Sequence, residues 1–132
     1  MRKGFSLFEM LMALSIMALL GSFVIPNVKK IQDKSNRMAS EINVRSIQSA
    51  VENYYIDHDG YPEGNLSGAE LLAVLKETDI LKNAPVNPYY KREYRSEDQR
   101  GKILYVAADS EEYQMTLYEK DGAQIHVQVT NF

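Results

Sequence analysis

The sequence contains no cysteine in 132 residues. Thiol, cysteine-zinc, iron–sulfur and lipoprotein chemistry are therefore excluded, and an exported domain would have to do without disulfides. Histidine is scarce. His58 and His126 lie far apart in sequence, neither within a ligand or nucleophile pattern, and the alternation of His126 with Ile125 and Val127 predicts a solvent-facing strand position. There is no glycine-rich phosphate loop and no Ser/His/Asp signature, so no enzyme activity and no cofactor is expected. Cations are not in excess: 15 Lys and Arg face 18 Asp and Glu, a formal charge of −3. That balance argues against general affinity for nucleic acid. No internal repeat or low-complexity linker occurs.

What the chain does have is one long apolar run. Arg2 and Lys3 precede Gly4, and the 21 residues from Phe5 to Ile25 are almost all apolar before Pro26. As a helix this run is about 31 Å long, enough to cross a bilayer core of about 30 Å. Cations ahead of it place the N-terminus in the cytoplasm and the remainder outside. Glu9 does not suit a plain anchor, because a carboxylate within lipid costs several kcal/mol and such residues tend to be paired. A cut between Gly4 and Phe5 would put a new α-ammonium four residues from Glu9, at a helix N-terminus that favours the acid. A secretory signal fits less well: the small residues around Leu19-Leu20-Gly21-Ser22 are poorly spaced for its cleavage site, and the run is too long.

These residues resemble the type IV pilin superfamily. The match is Lys3-Gly4, then Phe5-Ser6-Leu7-Phe8-Glu9, then an apolar run closed by Pro26. The resemblance implies that a prepilin peptidase cuts between Gly4 and Phe5 and that Phe5 becomes the methylated N-terminus. It further implies that Phe5 and Glu9 register neighbouring subunits. Removing the leader would shift the formal charge from −3 to −5 before the new amine is counted, since two of the 15 cations lie in it. Tyr54-Tyr55-Ile56-Asp57-His58-Asp59-Gly60-Tyr61-Pro62 resembles the "Y…D…G-x-Y-P" segment of major pseudopilins of type II secretion and related short pilins. Asn87-Pro88-Tyr89-Tyr90 partly matches their "D-P-W/Y-G" segment. Many type IV pilins close a C-terminal loop with a disulfide, and the lack of cysteine points away from that branch.

Beyond Pro26 the pattern stays helical. Val28, Ile31, Met38 and Ile42 recur at helical spacings, with Ser35 filling a gap. Ile47, Ala50, Val51 and Tyr54 make a three-four stripe. One helix is expected from Phe5 to about Asp57, apolar all round in its first half and amphipathic in its second. Gly21 and Pro26 should kink or loosen it, because Pro26 removes the bond to the carbonyl of Ser22. Gly60 suits a left-handed cap and Pro62 stops the helix. Asp57, Asp59 and Glu63 lack the full calcium-loop pattern, so a helix-exit turn is expected and no metal. Ser67-Gly68-Ala69-Glu70 reads as a capping box opening a short helix over 67–82, and Pro85 and Pro88 impose a loop. Residues 103–108, 112–119 and 123–130 read as strands, with a tight turn at Asp121-Gly122.

The expected fold class is α+β: a long N-terminal helix, membrane-spanning and then amphipathic, packed on a small three-stranded antiparallel sheet with one short extra helix. The expected division is a leader at 1–4, a transmembrane and filament-core helix at 5–26, and a periplasmic or extracellular head at 27–132. Lys91, Arg92, Tyr94 and Arg95 interleave cations with aromatics and are candidate ligand or DNA contacts. A solvated loop or subunit contact is the competing reading, since Glu93, Glu97 and Asp98 dilute the patch. The resemblance implies a homopolymeric filament, drawn from the inner membrane with the prepilin peptidase, an assembly ATPase, a platform protein and other pilins or pseudopilins as partners. Three classes stay open: a secretion pseudopilin, a pilin for adhesion, twitching or DNA uptake, and an anchored enzyme or receptor.

Overall fold

The computed structural model describes residues 4–119 and 125–130. The chain divides into two compact units, residues 1–35 and 36–132. Helix α1 spans Leu7–His58, with Pro26 inside it. In its C-terminal part Ser40, Val44, Ile47, Ala50 and Val51 are buried. At 3.6 residues per turn these positions share one face. Met38 and Ile42 do not belong to it: they are 54% and 65% exposed. The sequence pattern runs the two apolar series together, but Ile42 and Val44 lie about 200° apart around the helix. The later stripe at Ile47, Ala50 and Val51 is the core face, and Tyr54 packs partly buried against it.

The chain leaves α1 through a left-handed residue, Asp59, at φ 56°. This corrects the expectation for Gly60. Asp tolerates that conformation better than most residues, and its amide N–H donates to the Tyr55 carbonyl at 2.9 Å. Gly60 is required for space, since a Cβ there would lie 3.0 Å from the Ser110 Cβ. The next amide, of Tyr61, donates to the Ser110 carbonyl at 2.9 Å.

Strand β1 (Gly64–Ser67) leads into α2 (Gly68–Glu77). The Ser67–Glu70 capping box is complete, with Ser67 accepting from the Glu70 amide and the Glu70 carboxylate accepting from the Ser67 amide. Those bonds hold the Glu70 carboxyl below its usual range. The helix ends earlier than residue 82 because Asp79 turns left-handed at φ 57°. Short strands β2 (Val86–Asn87) and β3 (Arg92–Glu93) pair within the proline-marked loop. Strands β4 (Lys102–Ala107), β5 (Gln114–Tyr118) and β6 (Ile125–Thr130) are the three expected from the sequence at 103–108, 112–119 and 123–130.

All four main strands pair antiparallel in the order β1-β4-β5-β6. β1 is an addition to the expected three. It begins at Gly64 with φ 111°, so its composition carries no strand signal and its pairing with β4 makes it one. The β5–β6 register pairs Met115 with Val129 and Leu117 with Val127, then shifts between Leu117 and Tyr118. The expected Asp121-Gly122 turn and the cations Arg2 and Lys3 lie outside the described residues, as does the side chain of His126.

The core draws Val44, Ile47 and Val51 from α1, Leu71 and Leu75 from α2, and Ile103, Tyr105, Met115 and Leu117 from the sheet. A polar clasp closes one end. The hydroxyls of Tyr61 and Tyr113 each donate to the Glu52 carboxylate at 2.8 Å. Burial, followed by the proximity of Glu52, pushes the Tyr113 phenol well above its ordinary value.

The two helix faces differ in what they contribute to folding. Ile47→Ala is expected to lower unfolding free energy by about 2–5 kcal/mol, because it opens a cavity. Ile42→Ala should shift it by no more than about 0.5 kcal/mol. Urea titration of the detergent-solubilised protein monitored by tyrosine fluorescence checks both.

Candidate assembly site

The N-terminal unit has its own local order. Gly4 and Phe5 are exposed and lie before the helix begins. Ser6 caps α1: its Oγ accepts from the Phe8 amide at 3.3 Å, and its own amide donates to Glu9 Oε2 at 2.9 Å. The Ser-x-x-Glu spacing that signals a helix start is thus used here as well as at Ser67. The sequence reading gave Glu9 a pairing with an α-ammonium near the helix N-terminus and missed that it closes this cap. Phe5, Glu9, Met10, Ala13, Leu14 and Met17 line a shallow groove along this segment.

Among the described residues, the apolar side chains that follow are not buried by any other part of the chain. α1 is long and apolar enough to cross a membrane, and 0% of its apolar window is buried. Leu11, Ile16, Leu20 and Ile25 are 55–62% exposed. Such a surface is not stable in water. Small polar groups along it are satisfied locally: Ser15 Oγ donates to the Leu11 carbonyl at 2.8 Å and Ser22 Oγ to the Leu19 carbonyl at 2.7 Å. Near Pro26, Asn27 Nδ2 donates to the Phe23 carbonyl at 3.2 Å. Among the described residues nothing outside the local backbone lies within 4 Å of a Cβ added at Gly21 or Gly4.

The candidate contacts in the head are not equivalent. Tyr94 must be corrected: it is 6% exposed, inside the core cluster, and so cannot stack on a base. Its hydroxyl accepts from Asn43 Nδ2 at 3.0 Å, and burial pushes its phenol up to about 12. Arg92 lies 4.8 Å over the Tyr90 ring and forms a 2.6 Å ion pair with Asp98. Arg95 reaches Glu97 at 3.7 Å. Lys91 is exposed, at φ 53°. The structure therefore gathers Arg92 and Arg95 around acids of their own loop and leaves no aromatic–cation platform containing Tyr94.

That loop is organised by Asp98, a residue sequence reasoning saw only as a diluting charge. It is 3% exposed. Besides Arg92 it accepts from Asn87 Nδ2 at 3.0 Å and from the Arg95 amide at 3.1 Å. Burial raises its carboxyl, but the hydrogen bonds from Arg92, Arg95 and Asn87 and the Arg92 charge outweigh this and hold it below the usual range. Asn87, wholly buried, also donates to the Arg100 carbonyl at 2.9 Å. Gly101 completes the loop at φ 66°, with the Tyr89 ring 2.9 Å from any Cβ. His58 is accounted for by its ring stacking on Tyr54 at 4.0 Å. Among the described residues no group of three or more His, Asp or Glu side chains is placed to hold a metal ion.

Residues 1–25 match a family model described as the prokaryotic N-terminal methylation motif. The chain is 27% identical over 126 residues to type II secretion system core protein G of Vibrio cholerae, covering 85% of this chain and 86% of that one. It is 26% identical over 91 residues to the protein of the same name from Pectobacterium carotovorum, spanning 58% of that relative's length and 69% of its own. A ComG operon protein 3 homolog from Bacillus licheniformis is 34% identical over 58 residues, 44% of this chain and 60% of that one. No solved structure matches.

The buried loop acid makes stability depend on pH. Its folded pKa is lowered, so its contribution is full above the unfolded value of about 3.9 and is lost as pH falls through the folded one. Asp98→Asn is expected to lower unfolding free energy by about 2 kcal/mol at neutral pH, with the gap to the parent closing on acidification below about pH 4. Thermal melts of both proteins between neutral pH and acid check this.

Proposed function

We propose, from the methylation motif at residues 1–25 and the similarity to type II secretion core protein G, that the chain is a type IV pilin-like structural subunit of a helical filament serving protein secretion. The observation that carries this reading is an apolar helical segment, none of it buried among the described residues, that begins within the methylation motif. Before assembly, lipid covers that surface. In the filament, the same segment of other copies replaces lipid. The head remains outside the cytoplasm and the N-terminus inside. This reading includes residues 1–4 as leader, 5–26 as membrane and filament-core helix, and 27–132 as head.

The residue roles follow from chemistry. Gly4 is exposed, which suits cleavage, and Phe5 then carries the methylated amine. Glu9 pairs with the α-ammonium of a neighbouring copy. Two opposite charges are tolerable in a low-dielectric core only where they meet, so a wrong register leaves both unpaired. The pair fixes register, and packing of the apolar segments supplies most of the association. Gly21 and Pro26 give the helix a place to bend during that packing. A surface pilus would use the same N-terminal chemistry. Similarity to the Vibrio secretion protein over most of both chains supports the secretion filament instead.

The intact mass of the protein purified from its membrane is expected to correspond to a chain starting at Phe5 with one added methyl group, and Gly4→Leu is expected to leave the leader attached. Glu9→Val should insert and be processed normally yet give no filaments by electron microscopy. A native chain still starting at Met1, or a Glu9→Val protein that assembles like the parent, would overturn the reading.

A further inference from the structure

The chain holds nine tyrosines but no cysteine and no tryptophan, so tyrosine is its side chain most easily oxidised by one electron. Four of these rings form an unbroken series within the second compact unit. Tyr55 meets Tyr61 at a centroid separation of 4.6 Å, Tyr61 meets Tyr113 at 4.7 Å, and Tyr113 meets Tyr105 at 5.5 Å. Exposure falls along the series, from 37% at Tyr55 through 8% at Tyr61 and 3% at Tyr113 to 0% at Tyr105. The rings thus lead from the surface into the core.

Tyr61 and Tyr113 are equipped to lose a proton with the electron. An oxidised phenol is a strong acid and needs a base within hydrogen-bond reach. The Tyr61 hydroxyl donates to Glu52 Oε2 and the Tyr113 hydroxyl to Glu52 Oε1, each at 2.8 Å. Glu52 is only partly buried, so it can pass protons on to solvent. The Tyr105 hydroxyl, by contrast, is buried without a hydrogen-bond partner among the described residues. Sharing one carboxylate also draws the two hydroxyls together, and with them the ring carbons beside each oxygen. The Tyr61 and Tyr113 rings are inclined at 59°. Two phenols bonded directly through those carbons have nearly this spacing and a comparable twist. The backbones are already tied, since the Tyr61 amide donates to the Ser110 carbonyl at 2.9 Å.

We propose that Tyr61 and Tyr113 are an oxidative cross-linking site, joined into an intrachain dityrosine by hydrogen peroxide acting through a haem peroxidase, with Tyr55 as the ring that gives up electrons at the surface. The site goes beyond the filament reading and does not depend on it. In each oxidation one electron leaves through Tyr61 and Tyr55 to the peroxidase. The phenolic proton passes to Glu52, which carries the two protons to solvent one at a time. The two phenoxyl radicals pair through the ring carbons beside their oxygens and form one carbon–carbon bond. The hydrogen left on each of those carbons moves as a proton to its own oxygen and restores the phenol. Two electrons and two protons are lost in all, and they reduce one hydrogen peroxide to two waters. The new bond closes the chain between Tyr61 and Tyr113 into a covalent loop, a restraint on the unfolded state of the kind that a disulfide provides.

The test treats the full chain, purified in detergent, with a haem peroxidase and hydrogen peroxide. The expected product is a monomer that has lost two hydrogens, shows dityrosine fluorescence, and on proteolysis yields one linked pair of peptides containing Tyr61 and Tyr113. Its thermal midpoint should rise by roughly 10 °C. Tyr61→Phe and Tyr113→Phe, each of which removes only a hydroxyl, should abolish the linked pair. Glu52→Gln should slow its formation about tenfold or more, and Tyr55→Phe should slow it without changing the product. Tyr105→Phe is the control for packing and should leave the rate as in the parent. Circular dichroism checks that each variant is folded, and peptide identification in the parent needs no variant at all. Oxidation confined to exposed tyrosines and methionines, dimers in place of the intrachain product, or a linked pair other than Tyr61 with Tyr113 overturns the proposal. So does formation at the parent rate in Glu52→Gln or Tyr55→Phe, or a loss that Tyr105→Phe reproduces.

Discussion

Everything in the head rests on one face of one helix. Val44, Ile47 and Val51 are fully buried, and the inward side chains of the sheet and of α2 meet them in a single cluster. A head of about a hundred residues has little interior to spare, so losing one wall would expose most of what the others cover. The same turn of α1 presents Glu52 to Tyr61 and Tyr113. Two phenols and one carboxylate thereby join the helix to the segment that follows it and to the residue preceding β5. The opposite face of the helix is then free to stay apolar for other uses.

The absence of disulfides is met by polar packing. Asp98 draws Asn87, Arg92 and the Arg95 amide onto one carboxylate, and Asn87 returns a bond to the Arg100 carbonyl. These contacts span the stretch from β2 to the start of β4. Buried polar groups satisfied from several sides confine a loop more narrowly than apolar contact does, because each bond has a direction. The cations nearby are consequently part of the loop's own structure, which explains why a run rich in Arg and Tyr need not be a binding platform.

Local signals were legible in the sequence and long-range ones were not. The Ser67–Glu70 cap is settled within four residues, and the alternation at 113–117 and 125–129 within one strand each. Helix length followed from periodicity. By contrast, periodicity shows that Met38 and Ile42 are apolar at helical spacing without showing which face has a partner. β1 is a strand only because residues 104–107 lie beside it. Tyr94 is flanked by charges and looks exposed; it is buried in the core cluster, where Asn43, 51 positions away in the chain, donates to its hydroxyl. At the helix exit the glycine was visible, but not that Asp59 takes the left-handed turn while Gly60 answers to Ser110. The cap at Ser6 obeys a local rule and was hidden by the apolar residues around it.

The first buried side chain of α1 is Ser40, four residues beyond the start of the second compact unit at Asn36. Every helix residue that the core uses thus lies on the far side of that point. Severing the chain in the exposed stretch just before it would take no side chain from the interior, so a single proteolytic nick there would part the apolar helical segment from a fragment with its interior complement intact.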